Sequence, residues 1–148
     1  MSLYTVMDIA GSAMSAQNVR LNTTASNLAN ANSVSSSSGE TYRARHPVFA
    51  AQLQTALHGG PGQASIQQNA GMGVKVLGIV ESDKPLVMEY APNHPMADDN
   101  GYIYKPNVNV MEEMANMMSA SRSYQTNVQL ADTSKQLLSR TLRMGQGT

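Results

Sequence analysis

The distribution of proline divides this chain of 148 residues into three parts. All six prolines lie between Pro47 and Pro106, and most of the eleven glycines lie in the same stretch. Proline removes a backbone donor and breaks the interior of a helix, so only the two ends of the chain can form long uninterrupted helices. The sequence therefore predicts one helix at each end and an irregular region between them.

The N-terminal part has the apolar periodicity of a single long helix. Alternating steps of four and three give a heptad stripe that polar residues interrupt only twice. The stripe runs through Leu3, Met7, Ala10, Met14, Gln17, Leu21, Thr24, Leu28 and Ala31. The run from Ser33 to Gly39 ends the helix, because serine side chains compete for backbone hydrogen bonds and glycine favours other conformations. We predict a helix over residues 1–32.

The opposite face of this predicted helix is polar but carries almost no charge. Its side chains are short and hold less water than Lys or Glu would: Ser12, Ser15, Asn18, Asn22, Ser26 and Asn30. Asp8 and Arg20 are the only charged side chains among residues 1–39. A face of this kind is suited to close packing against more protein.

The C-terminal part predicts a second helix with a marked start and a marked end. Asn109 is a suitable N-cap, with Glu112 three residues further on. The heptad stripe of this helix is Val110, Met114, Met117, Ser121, Tyr124, Val128, Ala131, Lys135, Leu138 and Leu142. Arg140 and Arg143 precede Gly145, which is the arrangement that favours a helix C-terminus. We predict a helix over residues 108–145.

Short strands fit residues 33–107 better than helices do. The candidate strands are Thr41–Arg45, Ala64–Gln68, Val74–Val80, Leu86–Tyr90 and Tyr102–Tyr104. His58–Gly62 predicts a loop and Asn100–Gly101 a tight turn, whereas Pro47–Leu57 fits either a strand or a helix. The predicted fold class is mainly α with a small β-rich insert. In it the two terminal helices pack as an antiparallel coiled coil, and a Ser/Gly/Pro-rich loop and short antiparallel strands lie between them.

The charge composition disfavours one class of function and suggests a partner. Ten Lys and Arg residues balance ten Asp and Glu residues, which argues against nucleic-acid binding. Only 14% of the residues are charged, against about 25% in an ordinary soluble domain, so we expect part of the surface to be covered by another molecule. The methionines at the start of the second helix fit either a core or an interface: Met111, Met114, Met117 and Met118.

No motif indicates catalysis, a metal or a cofactor. Asp98–Gly101 resembles part of a calcium loop, but Met96 and Asn107 occupy the first and last ligand positions. The chain has no cysteine, and its three histidines are too far apart to share a helix face: His46, His58 and His94. Gly71-Met72-Gly73 lacks the third glycine of a dinucleotide turn. We expect a protein without a cofactor and without enzymatic activity.

No stretch of the sequence predicts a membrane span or a cleavable signal peptide. The chain contains no run of eighteen apolar residues, and its first residues lack a basic start, an apolar run and a small-residue cleavage site. We expect no direct membrane insertion. The chain is expected either to remain in the cytosol or to leave it by a route that needs no such signal.

Several segments resemble bacterial flagellar basal-body rod proteins. Residues 8–17, DIAGSAMSAQ, and residues 20–32, RLNTTASNLANAN, are similar to the N-terminal signature of flagellar axial proteins. Other segments resemble the proximal rod subunits of that family: Tyr42–Arg45, Val48–Phe49, Tyr90–Pro95, Gly101–Tyr102, Pro106–Asn109, Glu112–Met114 and Ala120–Gln125. Many axial relatives carry a Thr-Pro-Gly-Tyr-like turn where this chain has its serine run. The resemblance covers nearly the whole chain.

The resemblance implies a structural subunit located in the basal body. Such a subunit passes through the flagellar type III export apparatus and polymerises with copies of itself and other rod proteins into the hollow drive shaft between motor and hook. The residues expected at the intrasubunit helix seam are Leu3, Met7, Met14, Leu21, Leu28, Met114, Met117, Tyr124, Val128, Leu138 and Leu142. The candidates for contacts between subunits are Asn18, Asn22, Asn27 and Asn30.

Two other classes of function stay open at this point. A cytosolic helical adaptor or chaperone-like binding protein would remain soluble, whereas a rod subunit would fractionate with basal bodies. A small hydrolase acting on cell-wall sugar would need a pair of carboxylates, for which the middle of the chain offers Glu81, Glu89, Asp98 and Asp99.

Overall fold

The computed structural model describes residues 3–52 and 73–145, which form two long helices and four short strands. In chain order the elements are α1 (Leu3–Asn30), β1 (Arg45–Ala51), β2 (Val74–Glu81), β3 (Val87–Tyr90), β4 (Tyr102–Lys105) and α2 (Val110–Gly145). The strands pair as two separate two-stranded antiparallel sheets, β1 with β2 and β3 with β4. This confirms the predicted mainly helical fold class with a small β-rich insert.

Helix α1 ends at Asn30, two residues before the predicted boundary. The amide of Ala31 donates to the carbonyl of Leu28 at 3.3 Å, and the amide of Ser33 donates to that of Asn30 at 3.0 Å. Ser35 then forms an isolated antiparallel bridge with Tyr104 of β4. The serine run therefore ends the helix, as predicted, and brings the chain to the edge of the second sheet.

Helix α2 begins as its sequence predicts. The side-chain oxygen of Asn109 accepts from the amides of Met111, at 3.1 Å, and Glu112, at 3.3 Å. These bonds satisfy two of the amides that a helix N-terminus leaves without a partner in the helix itself. The helix continues for 36 residues and has Arg143 in its last turn.

The first sheet contains one wrong and one confirmed strand prediction. Thr41–Arg45 is not a strand, because the amide of Ala44 bonds a side chain at 2.8 Å and the chain enters β1 only at Arg45. The prediction for Val74–Val80 is confirmed by β2. The ambiguous stretch from Pro47 is a strand as far as Ala51, with a bulge between Val48 and Phe49.

The second sheet confirms the strand predictions at Leu86–Tyr90 and Tyr102–Tyr104. Between these strands the carboxylate of Asp98 accepts from the amides of Asn100, at 2.9 Å, and Tyr102, at 2.8 Å. Gly101 has a φ of 81°, which favours glycine, and closes the tight turn predicted at Asn100–Gly101. The predicted strand Ala64–Gln68 and loop His58–Gly62 lie outside the described residues.

Among the described residues the buried set is small, and more than half of it is polar. Its apolar members are Ala10, Ala16, Ala44, Ile103 and Ala120. The buried polar residues are Thr23, Thr24, Asn27, Ser35, Thr41, Glu113 and Ser134. Small side chains remove little apolar area from water, so hydrogen bonds carry much of the specificity of this fold. Neither α1 nor α2, the helices found in the described part of the chain, is long and apolar enough to cross a membrane.

Candidate assembly surfaces

Helices α1 and α2 pack against each other, and the buried positions of α2 hold no large apolar side chain. The fully buried positions on α2 are Glu113, Ala120 and Ser134. Seven of the residues expected at the seam are half-buried beside this contact: Leu3, Met7, Met14, Leu21, Leu28, Met117 and Leu138. Small residues at the centre allow the two helix backbones to approach closely, while the longer side chains cover the edges.

The other four residues expected at the seam have more exposed area. Met114 is 47% exposed and Leu142 60%, whereas Tyr124, at 37%, and Val128, at 38%, are close to half-buried. The contact face of α2 lies one residue earlier than the apolar stripe, at Glu113 instead of Met114 and at Ala120 instead of Ser121. An apolar heptad count selects large side chains and therefore misses a face built from small and polar ones.

A buried amide ties α1 to the first sheet. Asn27 has no exposed area, and its side-chain nitrogen donates to the carbonyl of Arg45 at 2.8 Å. Its side-chain oxygen accepts from the amide of Arg45 at 2.9 Å and from the hydroxyl of Tyr42 at 2.8 Å. Burial and these three bonds hold the Asn27 amide inside the subunit, away from the surface that contacts between subunits would use.

A second amide continues this network toward α2. The side-chain oxygen of Asn107 accepts from the amide of Ala44 at 2.8 Å, and its nitrogen donates to the carbonyl of Lys84 at 2.7 Å. The amide of Ser82 donates to the carbonyl of Ala44 at 2.8 Å. We call the network of Asn27, Tyr42, Ala44, Arg45, Ser82, Lys84 and Asn107 the junction. It connects α1, the start of β1, the segment after β2 and the segment that enters α2.

A close backbone approach fixes β2 against α1. The hydroxyl of Ser12 donates to the carbonyl of Ile9 at 2.9 Å and accepts from the amide of Val74 at 3.1 Å. Gly73 has a φ of 131°, and a Cβ added there would lie 2.2 Å from the Ser12 hydroxyl oxygen. Only glycine fits this contact without a shift of the neighbouring atoms.

The outer face of α1 is a second heptad stripe, which after the exposed Tyr4 holds no large apolar side chain. We give this name to Asp8, Gly11, Ser15, Asn18, Asn22, Ala25 and Ala29, all of them exposed except Gly11. Asn18 and Asn22 from the expected contacts lie on this face, and Asn30 is half-buried beside its end, where its side chain donates to the carbonyl of Ser26. Asp8 is the only charged residue on this face.

Helix α2 leaves two apolar stripes exposed. Met111, Met114 and Met118 form one stripe in its first half, and Leu130, Leu137 and Met144 form another at spacings of seven residues. Every residue from 139 to 145 is exposed. Heptad-spaced apolar residues that face solvent are typical of a helix that has a further partner.

Comparison with known proteins gives the family. The model described as "Flagella basal body rod protein" matches residues 7–35, and the model described as "Flagellar basal body rod FlgEFG protein C-terminal" matches residues 99–144. The flagellar basal-body rod protein FlgC of Salmonella typhimurium is 49% identical over 146 residues, covering 99% of this chain and 100% of that protein. The chain belongs to the FlgC family of flagellar basal-body rod proteins.

More distant members of the FlgC family cover the same length. FlgC of Escherichia coli O157:H7 is 48% identical, and FlgC of Borreliella burgdorferi is 33% identical over 152 residues. In both cases the match spans 99% of this chain and 100% of the relative. The protein is therefore a structural subunit of the flagellar basal-body rod and not an enzyme, and the alternatives of an adaptor and a hydrolase are not supported.

Sequence reasoning missed the junction residues as a functional group. Tyr42, Arg45 and Asn107 carry the resemblance to the FlgC family, but the chain pattern does not predict that they meet Asn27. Asn107 directly follows a buried proline, Pro106, and asparagine amides that can both donate and accept are the natural partners of such irregular backbone. An asparagine directly after a proline was therefore the one feature of the sequence that could have predicted this contact.

Proposed function

We propose that this subunit builds the rod through an axial part made of residues 1–32 and 108–145, from which residues 33–107 project. In the axial part α1 and α2 pack as an antiparallel coiled coil. Two contacts support the antiparallel orientation. Arg20 of α1 donates to Asn116 of α2 at 2.8 Å. Gln17, which is earlier in α1, shares a groove with Arg122 and Asn127, which are later in α2.

The proposed intrasubunit seam combines small buried residues with larger ones at their edges. From α1 it takes Leu3, Met7, Met14, Leu21 and Leu28, and from α2 it takes Met117 and Leu138. Both sets are half-buried in the subunit. Their partial exposure means that each keeps apolar area for a neighbouring subunit to cover.

The proposed contacts between subunits use the outer face of α1, including Asn18 and Asn22, with Asn30 at its end. Short uncharged side chains cost less to desolvate than charged ones, so this face can be covered when its amides and hydroxyls find hydrogen-bond partners on the neighbour. Its partner is an exposed apolar stripe of a neighbouring α2. This surface of α2 also includes the expected seam residues that are exposed in the subunit: Met114, Tyr124, Val128 and Leu142.

Contacts between two different surfaces repeat from subunit to subunit and generate a helical array. We propose that this array, formed with other rod proteins, is the hollow shaft that carries torque from motor to hook and passes exported subunits. The names of the relatives, all rod proteins, support the place of assembly. Passage through the flagellar type III export apparatus fits a chain without cysteine, which no disulfide can lock in a folded state.

The single observation that carries this proposal is the exposed, heptad-spaced and nearly uncharged outer face of α1. Asn22→Glu places a charge at its centre without touching the buried face. In a strain that lacks the chromosomal copy, we expect Asn22→Glu to keep normal synthesis but to abolish incorporation into basal bodies and swimming. Asn93→Glu, an equal change at an exposed site of the insert, should leave both unchanged.

Leu28→Asp tests the seam in the same strain. A carboxylate at this half-buried position should prevent rod incorporation without abolishing synthesis, and circular dichroism of the purified variant reports the remaining helix. Normal rods and normal swimming in both Asn22→Glu and Leu28→Asp would overturn the proposal.

A further inference from the structure

Two charges of α1 are isolated within the subunit. Asp8 and Arg20 are the only charged side chains of this helix. Asp8 is exposed, and neither residue takes part in an ion pair with any residue in 3–52 or 73–145. The guanidinium of Arg20 donates to the side-chain oxygen of Asn116 at 2.8 Å. Within the described part of the chain, a helix otherwise free of charge thus keeps one acid and one base without a counter-ion.

The two charges cannot neutralise each other inside one subunit. They are twelve residues apart in an uninterrupted helix, which at about 1.5 Å per residue separates them by about 18 Å along its axis. An ion pair needs the two groups within about 4 Å. A counter-ion for either residue must therefore come from elsewhere in the subunit or from another molecule.

Arg20 lines an open groove of about 320 Å³ that contains no acidic side chain. The groove lies where α1, α2 and β1 meet, and its lining residues are Arg20, Thr24, His46, Pro47, Phe49 and Asn116. A guanidinium has five N–H donors, of which the bond to Asn116 uses one. The groove thus offers a cation with free donors, a histidine and an apolar wall, which is the chemistry that receives a carboxylate.

Asp8 lies on the outer face of α1, the face that the proposed function places against a neighbouring subunit. Burial of an unpaired carboxylate is costly, whereas burial of a carboxylate that meets a guanidinium is tolerated. Burial of this face therefore favours a cation opposite Asp8, and the open groove leaves the guanidinium of Arg20 accessible to a carboxylate. Repetition of one contact along an array of copies brings the two groups together.

We propose that Asp8 of one subunit enters the groove of a second copy and pairs with its Arg20. The inference rests on the proposed burial of the outer face of α1. The pair joins two different sites, so it repeats from copy to copy and sets the axial offset between neighbouring α1 helices. It is a register contact: the apolar stripes supply adhesion, and the ion pair selects one alignment among several heptad-related ones.

Charge exchange tests the pair in a strain that carries only the altered gene. Asp8→Lys and Arg20→Glu alone should each lower the amount of this chain in purified basal bodies by about tenfold or more, because each leaves two like charges facing each other. The double variant Asp8→Lys with Arg20→Glu should restore incorporation and swimming. Asp8→Lys with Arg122→Glu, the matched control on α2, should not.

A second measurement does not depend on the folding of an Arg20 variant. His46 is exposed and lines the same groove, and the native chain has no cysteine, so Asp8→Cys with His46→Cys introduces the only two thiols. A short bismaleimide should link this double variant into dimers and longer multimers in isolated basal bodies, and neither single variant should form the longer multimers.

Three outcomes would overturn the pairing. They are normal incorporation of Asp8→Lys, rescue by Arg122→Glu instead of Arg20→Glu, and the absence of multimers in cross-linked basal bodies. If Asn22→Glu blocks assembly while Asp8→Lys assembles normally, the burial of the outer face stands and only the pairing fails. If Asn22→Glu assembles normally, the proposed function fails first.

Discussion

Helices α1 and α2 contrast in how the subunit holds them. Helix α1 has two charged side chains in 28 residues, and it is bonded to β1 through Asn27, to β2 through Ser12 and to α2 through Arg20. Helix α2 has seven charged side chains in 36 residues, and its buried positions lie along one narrow face. We infer from this difference that the subunit alone fixes α1 between Ser12 and Asn27, whereas α2 needs neighbouring molecules to cover most of its apolar side chains.

The same contrast appears along the length of the helix pair. Near the junction, polar groups are buried and satisfied by hydrogen bonds of 2.7–2.9 Å. At the far end, residues 139–145 of α2 are exposed and Leu142 and Met144 face solvent. Hydrogen bonds therefore set the geometry of the junction, and the far end depends on assembly.

Removal of the amide at the junction should give the largest loss of stability. Asn27→Ala deletes three hydrogen bonds and leaves the amide and carbonyl of Arg45 and the hydroxyl of Tyr42 without that partner. We expect the free energy of unfolding to fall by about 3 kcal/mol or more. Urea denaturation of the purified chain measures it. Asn18→Ala, on the exposed face of the same helix, should change it by less than about 0.5 kcal/mol.

If Asn27→Ala and Asn18→Ala lower the free energy of unfolding equally, the junction does not stabilise the fold more than the exposed face of α1 does. A change in the urea dependence of the unfolding free energy, without a shift in midpoint, would instead point to an altered unfolded state.

The approach of β2 to α1 should give the next largest effect. Gly73→Ala adds a methyl group that would lie 2.2 Å from the Ser12 hydroxyl oxygen, in a backbone conformation that favours glycine. We expect a loss of about 1–3 kcal/mol in the same denaturation measurement. Gly78→Ala is the matched control, because no atom lies within 4 Å of its added Cβ.

The double variant Gly73→Ala with Ser12→Ala separates the steric contact with Ser12 from the backbone strain at residue 73. Ser12→Ala removes the 2.2 Å contact, but it leaves the Ser12 Cβ at 3.0 Å and the backbone strain, and it deprives the Val74 amide of its acceptor. The double variant should therefore recover only part of the stability. Full stability in Gly73→Ala alone would contradict a tight contact between α1 and β2.

The ion pair at the edge of the first sheet should have the smallest effect. Arg45 and Glu81 meet at 3.0 Å with about half of each side chain exposed. Glu81→Gln should lower the free energy of unfolding by less than about 1 kcal/mol, and salt should reduce the difference. A loss as large as that of Asn27→Ala would mean that charge, not the buried amides, holds the junction together.

The long elements and most strands follow from the sequence, because proline placement, the Asn109 cap and the Asn100–Gly101 turn act locally. Periodicity also identifies five half-buried residues of α1 and two of α2, Met117 and Leu138. Periodicity does not predict the burial of Glu113 and Ser134, because an apolar heptad pattern cannot mark polar residues. It also fails at Asn27, whose partners at residues 42 and 45 are set by tertiary structure; its amide resembles that of the exposed Asn22 in every local respect.

We infer that the junction is already ordered in the free subunit, whereas neighbouring subunits order the far ends of the helices. Hydrogen exchange of the full-length chain, free and in purified basal bodies, tests this inference most directly. In the free chain we expect slow exchange at the amides around Asn27 and Arg45 and fast exchange over residues 139–145 and the first turn of α1. In basal bodies the far ends should become protected. Uniformly slow exchange and protease resistance of both helix ends in the dilute free chain would contradict the account.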